Sequence, residues 1–140
     1  MSAVLRPFRV FVLALVVLAG ALVGPSVVAP AAAPQASASV FSSCTISGCS
    51  AAGTALTGWR RLGLPTARNR FAWPFGQYDF SGGQYLNLEG ELPANQTYAE
   101  YHVKPRPRGA ARDAARIIVS RTTGSVWFTP NHYPDFYKIA

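Results

Sequence analysis

The sequence predicts an α+β fold, in which a short N-terminal helical region packs on one face of a twisted antiparallel β-sheet of about four to five strands. Three observations predict it. A helical period occurs once, near the front of the chain; from residue 84 onward the apolar period changes to two; and turn residues cut the later segments into hairpin-connected pieces. The helical pattern covers residues 50–64, with Leu56, Trp59 and Leu62 on one side together with Ala55, and it ends at Gly63 and Pro65. Residues 65–83, rich in Pro, Gly and aromatic side chains, read as a long loop over the core, with room for a second short helix. Strands are expected at 84–89, 97–104, 115–121, 126–130 and 136–140. Gly90 and the run Leu92-Pro93-Ala94-Asn95 separate the first two, Thr123-Gly124-Ser125 makes a tight hairpin, and Pro130-Asn131 with Pro134 brackets the last loop. One sheet face then packs on the helix and the other stays open.

The front of the chain reads as a leader. Arg6 and Arg9 precede an almost unbroken apolar run from Phe11 to Val23, and Ala36-Ser37-Ala38 follows as a small-residue cleavage site. The run is short for a membrane span, and Gly24-Pro25 breaks it. The chain is therefore expected to be secreted, with residues 1–38 removed as a signal peptide and no stable membrane anchor left after cleavage. Residues 39–49 form an N-terminal arm, and residues 50–140 form one domain. Cys44 and Cys49 lie in that arm, and in an exported protein they are expected to form a local disulfide.

The charge is one-sided. The chain holds 13 Lys and Arg against 6 Asp and Glu, a net +7, and losing Arg6 and Arg9 with the leader lowers this by only two. Nearly all the cations are Arg, whose planar fork fits phosphate. A small exported Arg-rich domain points to a polyanionic partner.

The polar residues of the strand region narrow this reading. Alternation along 97–104 puts Tyr98, Glu100 and His102 on one face, here taken as the open one, and Ala99, Tyr101 and Val103 on the core face. A Glu in mid-strand is unusual, and the plain alternative is a cross-strand ion pair. Arg112 and Arg116 stand four apart at the start of the next strand, where two guanidiniums stabilise an ionised Glu and keep donors spare for a phosphate. His132, in the loop before the last strand, is a titratable group beside this face, and His102 competes with it. A carboxylate, an imidazole and two guanidiniums suit RNA cleavage: a base for the 2′-hydroxyl, an acid for the leaving 5′-oxygen, and cations for the charge that builds on phosphorus. No Asp/His cluster with ligand spacing accompanies them, which argues against a metal-dependent nuclease.

In order along the chain stand Gly82-Gly83, Asn87-x-Glu89-Gly90-x-Leu92-Pro93, Tyr98-x-Glu100, Arg112-x-x-x-Arg116-Ile117-Ile118, His132-Tyr133 and Phe136-x-Lys138-Ile139. With these pieces, residues 82–140 resemble the secreted bacterial guanyl-preferring ribonucleases, the family of barnase and ribonuclease Sa. The resemblance implies the microbial ribonuclease fold and a reaction without cofactor, in which transesterification to a 2′,3′-cyclic phosphate precedes slower hydrolysis. It implies Glu100 as general base, His132 as general acid, Arg112 and Arg116 as the phosphate-binding pair, and Tyr133 as a phosphate contact. It further implies that Glu89 accepts hydrogen bonds from guanine, that the backbone of Leu86, Asn87 and Leu88 meets the base, and that Tyr85 lies at the base site.

Two departures stand out. Leu88 replaces an arginine usual in the family, which bears on guanine preference. The segment between Glu100 and Arg112 is Pro/Arg-rich, and its Arg106 and Arg108 offer further phosphate contacts. The expected partners are single-stranded RNA and, by resemblance, a barstar-like acidic inhibitor, with the protein itself a monomer. The alternative is a non-catalytic secreted RNA or polyanion binder on the same fold. Asn95-Gln96-Thr97 matches a glycosylation sequon, which a bacterial-looking leader makes incidental.

Overall fold

Helix α1 (Cys49–Arg61) is the one α-helix among the residues described, 38–140, in the computed structural model. The leader assigned to residues 1–38 lies outside the described residues, apart from Ala38. Ala52, Ala55, Leu56 and Trp59 of α1 are buried at the i, i+3, i+4, i+7 spacing of one helical face. Gly58, a helix-weakening residue, has a packing role: a Cβ there would run into the ring of Trp73. Trp59 also donates from its indole nitrogen to the carbonyl of His102 at 2.8 Å, which ties the helix to the strand that carries Glu100. A disulfide joins Cys44 to Cys49, the first residue of the helix.

Seven strands form one sheet among the described residues: β1 (Ser39–Phe41), β2 (Asn69–Ala72), β3 (Tyr78–Tyr85), β4 (Tyr98–His102), β5 (Arg116–Ser120), β6 (Val126–Thr129) and β7 (Asp135–Lys138). Their spatial order is β1-β7-β6-β5-β4-β3-β2. Every adjacent pair is antiparallel except β1 and β7, which run parallel. This corrects the α+β expectation. The fold is mostly β, with one short helix and a seven-stranded mixed sheet in place of four to five antiparallel strands.

The physical reasons for the correction are local. Strand β1 has three residues, too few to show a period, and it is held through β7 and by the stacking of Phe41 on Tyr137 at 4.6 Å. Strands β2 and β3 form a hairpin inside the stretch read as a loop. Their residues lack the β-branched signature, and Pro74, Gly76 and the Gly82-Gly83 pair interrupt them. The strand expected at 84–89 ends at Tyr85. Asn87 takes a positive φ of 49° and its side-chain amide bonds the backbone of Leu92 in both directions, at 2.9 and 3.1 Å, so the chain leaves the sheet as a loop.

The second correction concerns the sheet face opposite the helix. On the helix side Trp59 packs with Trp73, Tyr101, Ile117, Val119 and Phe128. The other face is covered over part of its area by a smaller cluster of Tyr85, Leu92, Tyr98, Ile118, Trp127 and Phe136. Tyr98 and His102, expected on an open face with Glu100, are both buried. What stays open is a cleft around Glu100.

Candidate active site

Strand β4 presents Glu100 between β3 and β5, where it pairs in register with Gly83 and Ile118. The register between β3 and β4 shifts at Ser81/Gly83, a bulge that lets the carboxylate lie over Gly82. A Cβ on Gly82 would collide with the Glu100 carboxylate, so the absence of a side chain there makes its room.

Arg116 is buried at the start of β5, its Nε 3.4 Å from Oε1 of Glu100. This is an ion pair without hydrogen-bond geometry, and Nε has no other protein partner. Nη1 is engaged by the carbonyls of Asp113 and Ala115, at 2.5 and 2.8 Å, which fixes the guanidinium plane. Asp113 also faces Arg116 Nη1 at 3.6 Å and Lys104 at 3.3 Å, and so anchors the segment that carries Arg112. The exposed guanidinium of Arg112 lies over the ring of Phe80, 5.1 Å from its centroid.

The loop between β6 and β7 supplies His132 and Tyr133. Both have positive φ, 65° and 83°, a conformation that non-glycine residues rarely adopt. The loop is held there by Tyr133 N–H donating to Thr129 Oγ1 at 2.9 Å and by Asn131 donating to Asp135 at 3.1 Å. The result aims the Tyr133 hydroxyl at Oε2 of Glu100, to which it donates a hydrogen bond, and leaves the neighbouring His132 exposed. Burial and the adjacent carboxylate push the Tyr133 hydroxyl well above its ordinary range, so it stays protonated as a donor.

Glu100, Arg112, Arg116, His132 and Tyr133 therefore line one cleft of about 570 Å³, together with Arg68, Gln84 and Asp113. The residues expected at the base site behave differently. Leu86, Asn87, Leu88 and Glu89 lie in the loop that follows β3, outside this cleft, with Leu86 and Leu88 strongly exposed. Asn87 uses its amide to hold the loop. Tyr85 is buried in the smaller apolar cluster, its ring 5.0 Å from that of Tyr133, and does not line the cleft.

The competing histidine is sealed. His102 is 1% exposed, and its Nδ1 lies 2.9 Å from Nη2 of Arg106, a permanent donor. The imidazole accepts there and carries its proton on Nε2, which is 3.9 Å from Glu100 Oε1, too far for a hydrogen bond. Burial, and then the surrounding arginines, push its pKa down to about 3, so it is neutral at pH 7. Among the described residues, no three His, Cys, Asp or Glu side chains come together as a metal site.

A family model described as ribonuclease matches residues 35–140. The chain belongs to the ribonuclease family. No curated protein matches it closely enough to count as a relative. As a ribonuclease it binds and cleaves RNA. The sequence reading did not single out three polar cleft residues of this ribonuclease: Asp113, in the segment before β5, Arg68, on the approach to the unrecognised strand β2, and Gln84, near the end of β3. The Gly82-Gly83 pair inside a polar-aromatic run was the one local signal of a bulged strand there.

Proposed function

We propose that the protein is a secreted, metal-independent endoribonuclease that cleaves single-stranded RNA on the 3′ side of guanosine. Glu100 takes the proton of the 2′-hydroxyl, the 2′-oxygen attacks phosphorus, and His132 protonates the departing 5′-oxygen, which leaves a 2′,3′-cyclic phosphate. Arg116 and Arg112 stabilise the charge on the pentacovalent phosphorus, with the free Nε of Arg116 already beside the base. Tyr133 orients Glu100 and contacts the phosphate. The observation that carries the reading is the convergence of a carboxylate, two guanidiniums and an exposed imidazole on one cleft, in a chain of the ribonuclease family. The left-handed backbone at His132 and Tyr133 supports it, since such strain persists where a site needs it. The burial and neutrality of His102 favour His132 as the acid. In the loop after β3, Glu89 and the backbone of Leu86 to Leu88 accept guanine, and Leu88, in place of a cation, weakens that preference. The cationic cleft also suits the carboxylates of an acidic inhibitor protein resembling barstar. The mature enzyme is a monomer.

The test is cleavage of GpN, ApN, CpN and UpN by the purified mature protein, following the cyclic phosphate. Wild type is expected to cleave GpN fastest, and Glu100→Gln and His132→Gln are each expected to lose on the order of 10² to 10⁴ in kcat. RNA that is retarded on a gel but left intact by wild type means a binding protein instead. Loss of activity in His102→Gln with retention in His132→Gln overturns the assignment of the acid, and equal rates on GpN and ApN overturn guanine preference.

A further inference from the structure

The first half of strand β7 depends on the N-terminal arm. In the β6–β7 register only Tyr137 and Lys138 have partners, opposite Phe128 and Trp127. Asp135 and Phe136, the two residues nearer His132 and Tyr133, take their register from β1 instead, opposite Ser39 and Val40. Ser39 N–H donates to the carbonyl of Pro134 at 3.0 Å, one residue past Tyr133. Ala38 packs on the same apolar cluster as Tyr133, and the ring of Phe136 in that cluster stacks with Tyr133 at 6.4 Å. Asp135 in turn accepts from Asn131, at the other end of the loop. The arm therefore holds both ends of the segment that keeps His132 and Tyr133 in left-handed backbone, a conformation that relaxes unless its surroundings fix it.

The arm itself is lightly docked. Strand β1 is an edge strand of three residues, with Val40 46% and Phe41 43% exposed, so little apolar surface is buried to keep it in place. Its tether then decides how often it is there. With the disulfide, Ser42 and Ser43 alone separate β1 from Cys44, which is bonded to the first residue of α1. Without it, the tether is the whole run 42–48. We infer that the arm 38–41, clipped to the helix by Cys44–Cys49, positions His132 and Tyr133 for the reaction, and that reduction of this disulfide lowers turnover. The inference rests on the proposed function, because it takes His132 as the acid. Both cysteines are partly exposed and border a surface recess with Ser42, Ser43 and Lys138, which a reductant can enter. A dithiol supplies the two electrons. One of its thiolates attacks a sulfur of the disulfide, its second sulfur closes on the first, and two cysteine thiols are released with the reductant as a cyclic disulfide. The exported enzyme is then at full turnover only in an oxidising compartment.

The experiment measures kcat and KM on GpN for the purified mature protein, oxidised and after reduction with dithiothreitol, below both melting temperatures. Reduction is expected to lower kcat by about tenfold and to move KM by less than about twofold, the signature of a misplaced acid rather than of lost binding. Reoxidation is expected to restore kcat. Phe41→Ala, which keeps the disulfide and removes the stack on Tyr137, is expected to act in the same direction, and Phe41→Tyr to keep wild-type kcat. Leu56→Val, which loosens the core from α1, is expected to lower the melting temperature and leave kcat unchanged. The chain has two histidines, so NMR separates them: the ring signals of His132 should move on reduction while those of the sealed His102 stay. Equal kcat in the oxidised and reduced folded protein, or His132 signals that do not move, overturns the inference while the ribonuclease assignment stands. So does a loss of kcat in Leu56→Val as large as that in Phe41→Ala, which would mean lost folding rather than lost position. Should the reduced protein fail to fold, unchanged kcat in Phe41→Ala overturns the inference instead. Failure of oxidised wild type to cleave GpN overturns the proposed reaction and the turnover claim with it, while the His132 signals still decide whether the arm holds the loop.

Discussion

At the residue scale, two buried titratable groups near the cleft are displaced in ways that oppose each other. His102 is pushed down from 6.5 to about 3, first by burial and then by the neighbouring arginines. Across that interval the unfolded chain takes up a proton that the folded chain refuses, so the fold loses stability as pH falls from 6.5. Asp79 is pushed up from 3.8 to about 6, chiefly by burial. Here the folded chain holds a proton that the unfolded chain releases, so stability rises as pH falls from 6 to about 4, by on the order of 3 kcal/mol. The larger displacement of His102 outweighs this, and acid should destabilise the enzyme through the pair. Measured by melting temperature between pH 7 and 4, Asp79→Asn is expected to lose more stability on acidification than wild type, and His102→Gln less. The opposite ordering would contradict these assignments. The Phe80 backbone N–H bond to Asp79 Oδ1, at 2.8 Å, is one that Asn can keep, so the Asp79→Asn comparison isolates the charge.

At the element scale, the bulge in β3 governs the site. Strand β4 alone would put the Glu100 side chain against a neighbouring strand bearing ordinary side chains. The shifted register at Ser81/Gly83 instead sets Gly82 under the carboxylate, while Tyr133 and Arg116 hold it from the other sides. Because the carboxylate is held, it cannot swing away from a new methyl group at low cost. Gly82→Ala is therefore expected to reduce kcat by about 10 to 10²-fold through misplacement of the proposed base, with a smaller effect on KM. Steady-state kinetics on GpN and a melting curve would separate this from a general loss of folding. The β2–β3 hairpin was not legible from periodicity. Its strands alternate polar and aromatic residues around glycines, and the ladder that fixes β3 in the sheet comes from β4, beyond the whole 86–97 loop.

At the scale of the whole molecule, positive charge is organised into two adjoining clefts on the side of the sheet that keeps Glu100 accessible. An RNA long enough to cross both displaces more counterions than a dinucleotide does. The value of kcat/KM on long single-stranded RNA is expected to fall at least about tenfold between roughly 50 and 200 mM salt, and to fall less on GpN. Parallel salt dependence for the two substrates would mean that RNA beyond the dinucleotide meets no further cations of the protein. The fold closes through β1, which pairs with the last strand and so links the disulfide-bearing arm to the C-terminal residues.

Local chemistry makes much of the protein readable from its sequence. The helix at the front, the strands now seen as β4 to β7 and the basic charge follow from spacing, alternation and side-chain type, which act over a few residues; Glu100, Arg112 and Arg116 of the cleft stand out by the same signals, His132 and Tyr133 by the order of the family's motifs, and Arg68, Gln84 and Asp113 by none of them. Three things were decided only by tertiary structure. The hairpin β2–β3 and the short β1 exist because distant strands complete their hydrogen bonds. The face taken as open is partly covered because Leu92, Tyr98, Trp127 and Phe136 arrive there from separate segments. His102 and His132, which residue type and alternation left open and only the family's motifs separated, differ in the fold because one is sealed under Arg106 and the other stands exposed in a strained loop. Burial is a property of everything packed around a residue, and no short-range pattern contains it.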